Sequence, residues 1–354
     1  TPIPPPPPSR AQPDPSAMPE TSPIQADQAI QIPHTLRLSA AERLVASPGR
    51  RQAARRLIAS APNHGIDLDL MWGVTDEGLH KPKKVRQVSL AVLGSGRTAM
   101  MFLSNPEQHL SLGPIPTQIQ EISASIRAAL EGLRAYCPAK VALAQTLIEP
   151  EHTWAHDACA GAGMICVGTL DYMRKPLPST EHASRPAAWP TGIEVHPIRS
   201  LDPKTPDADR DDLIAALEGS YIDTLDCPEL CGLRSMDDVV DSHMATGDYA
   251  PARWHLIYKD NQPAGCCLLS HIPQSHSIEL VYLGIAPPAR GLGLGRSVLE
   301  NAIADCWPAL GPQGVKEITC AVDSRNLPAI KIYESMGFER FDARVGFVAP
   351  ITPK

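Results

Sequence analysis

Apolar and polar positions change period in a fixed order along the second half of the chain. Residues 277 to 286 form a largely apolar run that predicts a strand. Val298, Leu299, Ala302, Ile303 and Cys306 then recur at helical spacing, which predicts an amphipathic helix over 295–307. Ile318, Cys320 and Val322 alternate with Thr319, Ala321 and Asp323, the period of a strand. Ala329, Ile330, Tyr333 and Met336 form a second helical stripe. Asn326 can cap it, Pro328 falls in its first turn, and Gly337 closes it. Upstream, 193–198 reads as a strand and 209–217 as a helix with an acidic start. Residues 254–258 and 265–270 read as a hairpin around 259–263. Residues 219–250 read as irregular, with Tyr221, Cys227, Cys231 and Met236 in them.

The first half carries the same order. Val88–Leu93 and Thr98–Leu103 predict two strands joined at Gly94-Ser-Gly96, and Ile119, Ile122, Ile126, Ala129 and Leu130 mark a helix. Shifting residues 141–173 forward by 174 positions lays Val141–Ile148 on the strand ending at Val322. Ala155 then falls on Ala329, and Gly163-Met164 on Gly337-Phe338. The copies differ in polar residues. His152 stands at the position of Asn326 and Cys159 at that of Tyr333. The run Gly94-Ser-Gly96-Arg-Thr-Ala99 formally fits G-x-G-x-x-A. The segment after it is short and broken by Asn105-Pro106, so a hairpin turn is the better reading.

Composition adds a boundary at each end of this repeat. Eleven of the first 33 residues are proline, so 1–33 reads as a disordered or polyproline-like tail. Pro176, Pro178, Pro186 and Pro190 mark 176–190 as a linker between 34–175 and 191–354. The tail lacks the basic start and apolar centre of a signal peptide, and no apolar run reaches the roughly 20 residues of a membrane span. Net charge is −7, which argues against nucleic acid as a partner. Nine cysteines in no regular framework read as reduced cytoplasmic thiols. Cys227/Cys231 and Cys266-Cys267, with His243, His271 and His276, lack metal-site spacing, so no metal is expected.

The chemistry gathers at Leu283-Gly284-Ile285-Ala-Pro-Pro-Ala-Arg290-Gly291-Leu292-Gly293-Leu294-Gly295-Arg296-Ser297. Prolines end a strand, glycines bend the backbone, and a helix begins. Bare N–H groups at a helix N-terminus attract anions, and Arg290 and Arg296 add positive charge. These parts make a pyrophosphate cradle. A P-loop would need Lys where Arg296 stands, and a dinucleotide fingerprint from Gly291 would need Gly or Ala there.

The spacing Arg290-x-x-Gly293-x-Gly295 resembles the coenzyme A signature of the GNAT superfamily of N-acetyltransferases. Asn326-x-x-Ala329-x-x-x-Tyr333-x-x-x-Gly337-Phe338 resembles that family's second signature. The resemblance covers roughly residues 191–350. It implies an α/β (α+β) fold of two tandem acetyltransferase-like domains, each a mixed, mostly antiparallel sheet flanked by helices. The first would be a degenerate copy without the pyrophosphate loop. It also implies that Glu279 is the general base and Tyr333 the acid for the leaving thiolate. Leu283, Gly284 and Ile285 would bind the coenzyme through their backbone, with the 290–297 loop and Asn326 as further contacts. Region 219–250 would cover the acceptor pocket.

The resulting expectation is a cytoplasmic acyltransferase that moves acetyl from acetyl-CoA to an amine by direct attack in a ternary complex, without nucleic acid or membrane. A non-catalytic coenzyme-binding protein and, through Gly94–Ala99, a nucleotide-dependent oxidoreductase stay open. Thiol release, binding without release, and NAD binding would separate the three.

Overall fold

Strong local signals position most elements. Asp260 and Asn261 take φ of 49° and 62°, the left-handed pair that a tight two-residue hairpin needs. The Asn326 side chain accepts from the Ala329 amide at 3.3 Å and starts the last helix. The computed structural model describes residues 29–45, 49–76, 84–107, 115–137, 139–177, 189–206 and 208–351. Most of the proline-rich tail and of the 176–190 linker lies outside them.

The first half runs β1 (Ala29–Gln31), α1 (Arg37–Leu44), α2 (Arg50–Ser60), β2 (Met71–Thr75), β3 (Val85–Gly94), β4 (Thr98–Leu103), α3 (Ile115–Tyr136), β5 (Leu143–Ile148), α4 (Thr153–Gly161) and β6 (Ile165–Pro176). The second runs β7 (Ile193–Pro197), α5 (Arg210–Tyr221), α6 (Met236–Met244), β8 (Trp254–Lys259), β9 (Gln262–Ile272), β10 (Ser277–Ile285), α7 (Leu294–Leu310), β11 (Glu317–Asp323), α8 (Leu327–Ser335) and β12 (Glu339–Pro350). The repeat is structural. β5, α4 and β6 each start 174 residues before β11, α8 and β12.

The twelve strands among the described residues form one sheet, ordered β1-β2-β3-β4-β5-β12-β6-β11-β10-β9-β8-β7. Only β4–β5 and β10–β11 pair in parallel. The order contains an exchange. The last strand of each copy pairs with the penultimate strand of the other, β12 with β5 and β6 with β11. β6 and β12 pair with each other between them. The cores follow the exchange. Val345, Phe347 and Ala349 of β12 pack with α3 and α4. Met173 of β6 and Leu177 just after it pack with α7 and β11. Segments 34–175 and 191–354 are therefore not two separate sheets. Helices cover both faces. α3 and α4 lie on one face of the first half, α1 on the other. In the second half α7 and α8 lie on one face, α5 and α6 on the other.

Two sequence expectations are corrected, and the hairpin reading of Gly94–Ala99 is borne out. Residues 29–31, assigned to the tail, form a strand against β2, and Ile32 just after them is buried in the core of the first half, although Ile30 stays exposed. Region 219–250 is not wholly irregular: α6 lies within it, capped by Ser235, whose hydroxyl accepts from the Asp238 amide. Gly94–Ala99 opens no helix. It is the β3–β4 hairpin, with Gly94 paired to Thr98.

Candidate active site

The site begins where two parallel strands part. β10 and β11 share register from Ser277–Glu317 to Leu280–Cys320. β10 then bulges between Leu280 and Tyr282 and follows β9 to Ile285, while β11 follows β6 to Asp323. The β11-side edge of residues 281–285 is left without a strand partner. A cleft of about 230 Å³ opens there. Its walls include Tyr282, Leu283, Gly284 and Ile285 from β10, Asn326, Ala329, Ile332 and Tyr333 at α8, Ser220 in the last turn of α5, and residues 223–226 just after it. Gly284 is required by crowding, since a Cβ there would meet the Ser220 hydroxyl and the Tyr282 ring within 2.6 Å.

The glycine loop stands at the mouth of the cleft. Gly291 and Gly293 take φ of 77° and 74°, and a Cβ on either would meet nothing within 4 Å. Gly293 is the N-cap of α7 and no side chain caps that helix, so its first N–H groups remain available to an anion. Gly295 packs on Ile332 and lines the cleft. These features fit a pyrophosphate.

The two arginines make contacts within the protein. Arg290 lines the cleft, yet its guanidinium donates to the carbonyls of Ile285 at 2.8 Å, Ser220 at 3.1 Å and Ile222 at 2.7 Å. It ties the loop to the end of α5. Arg296 pairs with Glu300 one turn along α7. Leu294 is buried in the core and offers only its amide, Leu292 is exposed, and the Ser297 hydroxyl turns back to the Gly293 carbonyl at 3.4 Å.

Glu279 and Tyr333 lie on opposite faces of the sheet. Ile278 and Leu280 face α7, so Glu279 points to the α5–α6 face, opposite Ser270 and Thr319. It does not line the 230 Å³ cleft. Burial raises its carboxyl above its ordinary value, and a hydrogen bond from the Thr319 hydroxyl works against the rise. Tyr333 is buried, its ring 5.5 Å from Phe338, and it forms part of the cleft wall. Burial pushes its hydroxyl well above the ordinary tyrosine value, with nearby Cys320 and Asp226 adding to the rise. It therefore holds its proton at neutral pH.

Sequence reasoning missed Asp226 and Tyr282. Asp226 lines the cleft, and its carboxylate accepts from the Asp323 amide at 2.9 Å. Burial raises it. The Tyr282 and Ser220 hydroxyls share a hydrogen bond of 2.7 Å. Asp226 sits in a loop without periodicity, which left it no signal. Tyr282 follows a bulge that breaks strand alternation. Below them Asp323 is fully buried. Burial acts to raise its carboxyl, but Arg325 and the amides of Arg325 and Cys227 hold it below its ordinary value. Among the described residues no cluster of His, Cys, Asp or Glu could hold a metal, and no helix is long and apolar enough to cross a membrane.

Comparison with known proteins points the same way. Residues 221–338 match the family model described as Acetyltransferase (GNAT) family. A mycothiol acetyltransferase of Thermomonospora curvata is 29% identical over 208 residues, covering 57% of this chain and 64% of the relative. One from an Arthrobacter species is 27% identical over 202 residues, covering 55% and 56%. The matches thus span somewhat under two thirds of these relatives' length. A GCN5-related N-acetyltransferase from Sphaerobacter thermophilus has the same fold, with a TM-score of 0.51 at 18% identity over 93% of this chain and 98% of that one.

Proposed function

We propose, from the chain's membership of the GNAT superfamily, that it is an acyltransferase moving acetyl from acetyl-CoA to an amine acceptor by direct attack. One observation carries this reading: the splay of β10 from β11 has an uncapped, glycine-lined helix N-terminus at its mouth. Extended backbone and N–H groups that point at an anion suit a long molecule with a pyrophosphate at one end. Acetyl-CoA supplies an activated thioester when bound. The free edge of Leu283–Ile285 would hold its pantetheine arm, and the amides at 291–296 its pyrophosphate, with Asn326 at the rim. The side-chain roles of Arg290 and Arg296 are then to fix the loop and to add charge.

Glu279 would accept a proton from the acceptor's ammonium, on the face that α5 and α6 cover, so that the neutral amine can attack the thioester carbon. A buried carboxyl with a raised pKa is a stronger base than a solvated one. Tyr333 would hold a proton at Oη beside the departing sulfur, on the opposite face. Asp226 and Tyr282 would bound the reacting end and exclude water. The first half has a similar parting of β4 from β5 after Met100 but lacks the glycine loop, so it is proposed as a degenerate copy. All nine cysteines are free thiols, which suits a reducing compartment such as the cytoplasm.

The test is thiol release from acetyl-CoA with a panel of primary amines: an amino sugar, an amino acid and a polyamine. The acetylation for which the curated relatives are named is the first to assay. Amine-dependent release supports the reading. Saturable coenzyme binding with no release for any amine would favour a binding protein instead.

A further inference from the structure

The Ser95–Arg97 hairpin turn, whose sequence also fits a nucleotide fingerprint, makes a contact of its own. Its backbone reaches across to the second half. The Ser95 carbonyl accepts from the Ser242 hydroxyl at 3.2 Å, and the Gly96 carbonyl from the Arg234 guanidinium at 3.2 Å. Arg97 faces the buried Asp238 carboxylate at 3.4 Å. All three partners lie on α6 or just before it. The turn is itself anchored, because the Arg97 carbonyl accepts from the amides of Ala142 and Leu143. Gly96 leaves no room for error. Its φ is 61°, and a Cβ there would come within 2.0 Å of the Asp238 carbonyl and 2.1 Å of the Ser242 hydroxyl.

α6 in turn touches the site. His243 lies near its end, its ring 5.7 Å from that of Tyr282, and Tyr282 lines the coenzyme cleft. Val239 and Val240 pack with α5, whose last turn carries Ser220. The contact path thus runs from the first half's turn through α6 and His243 to Tyr282.

We infer that the Ser95–Arg97 turn is a positioning device: the degenerate first half holds the acceptor-side wall of the second half's site through α6. This rests on the acetyltransferase reading for the meaning of that wall, but the coupling of turn to helix does not. Gly96 and Arg97 are positioning residues, since neither touches the cleft. The inference also explains how a copy without a phosphate loop contributes to function.

The test uses the full chain and two readouts. Hydrogen–deuterium exchange of α6 amides is compared in wild type, Gly96→Ala and Gly94→Ala, and acceptor KM is measured with the best amine of the panel above. Gly94→Ala is the control, since its Cβ would meet only Thr98. Gly96→Ala should speed α6 exchange roughly tenfold with α7 unchanged. It should raise acceptor KM several-fold while acetyl-CoA affinity in calorimetry stays within about twofold. Ser242→Ala removes a contact without a clash, and should give a smaller change of the same kind should Gly96→Ala fail to fold. Unchanged α6 exchange in both variants would overturn the inference. Faster α6 exchange in a protein that binds no acetyl-CoA would retain the coupling and sink the acetyltransferase reading.

Discussion

Leu280 on β10 lies opposite Cys320 on β11, and this is the last residue pair the two strands share. Beyond it the sheet opens. Tyr333 and Cys267 are buried in the same core as Leu280 and Cys320. The proposed reacting groups stand around this fork, Tyr333 on the α7–α8 face and Glu279 one residue earlier on the other. The site is thus a property of a sheet that fails to close.

The exchange of β6 and β12 makes the two halves one folding unit. Residues 29–177 and 189–351, each produced alone, should lack a native sheet neighbour and part of a core, exposing an unpaired edge. Each should aggregate or stay poorly structured by circular dichroism, and coexpression should yield a soluble complex. A monomeric, cooperatively unfolding single half would contradict the exchange.

Glu279→Gln should lower kcat/KM by about 10²–10⁴-fold, most at low pH, where little acceptor is already deprotonated. Thr319→Val tests the environment of that carboxyl. The Thr319 hydroxyl stabilises the carboxylate, so its loss should raise the Glu279 pKa further. The acidic limb of the pH–rate profile should move to higher pH. A limb that stays put, or moves down, would exclude Glu279 as the group that titrates.

Tyr333→Phe keeps the buried ring against Phe338 and removes the proton. Turnover should fall while acetyl-CoA affinity stays nearly unchanged. Combined with Glu279→Gln, the loss should be less than additive, as for two groups acting on one transition state. Purely additive losses would separate their roles.

Arg325→Ala should destabilise the fold by about 2–3 kcal/mol in urea denaturation. Removing one partner of a fully buried ion pair commonly costs about 3–5 kcal/mol, and solvent screening lowers that here because Asp323 is buried but Arg325 is half exposed. Backbone amides that still hold Asp323 offset part of that. The Asp323 carboxyl is held below its ordinary value, so its stabilising contribution is present above the unfolded pKa and lost as pH falls through the folded one. The gap between wild type and variant should therefore be full at neutral pH and close in acid. A gap that widens in acid would contradict this pairing.

Much of this was legible in the sequence because the elements are strongly periodic or sharply capped. The 174-residue repeat, the Asn326 cap and the Gly291–Gly295 loop all follow from local chemistry. The exchange was not legible, because β6 and β12 carry the same pattern and either could sit beside either partner. Which partner each strand takes is decided by tertiary contacts, which local pattern does not carry. Helix α6 could have been read from Ser235 and Asp238 at its start, but its short apolar stripe of Met236, Val239 and Val240 sits among loops. The role of Arg290 was hidden for another reason. Its partners are main-chain carbonyls, which carry no sequence signature.

The most direct test of the whole account is calorimetric titration of the full chain with acetyl-CoA, before and after Gly293→Asp. Gly293 stands free at the mouth of the cleft, so a carboxylate there would meet a pyrophosphate without disturbing a packed neighbour. The account predicts saturable binding at one site by the wild type. It predicts at least about a tenfold loss in the variant, the equivalent of about 1.4 kcal/mol, with the fold retained by circular dichroism. Equal affinity in the two proteins, or no binding by the wild type, would contradict it.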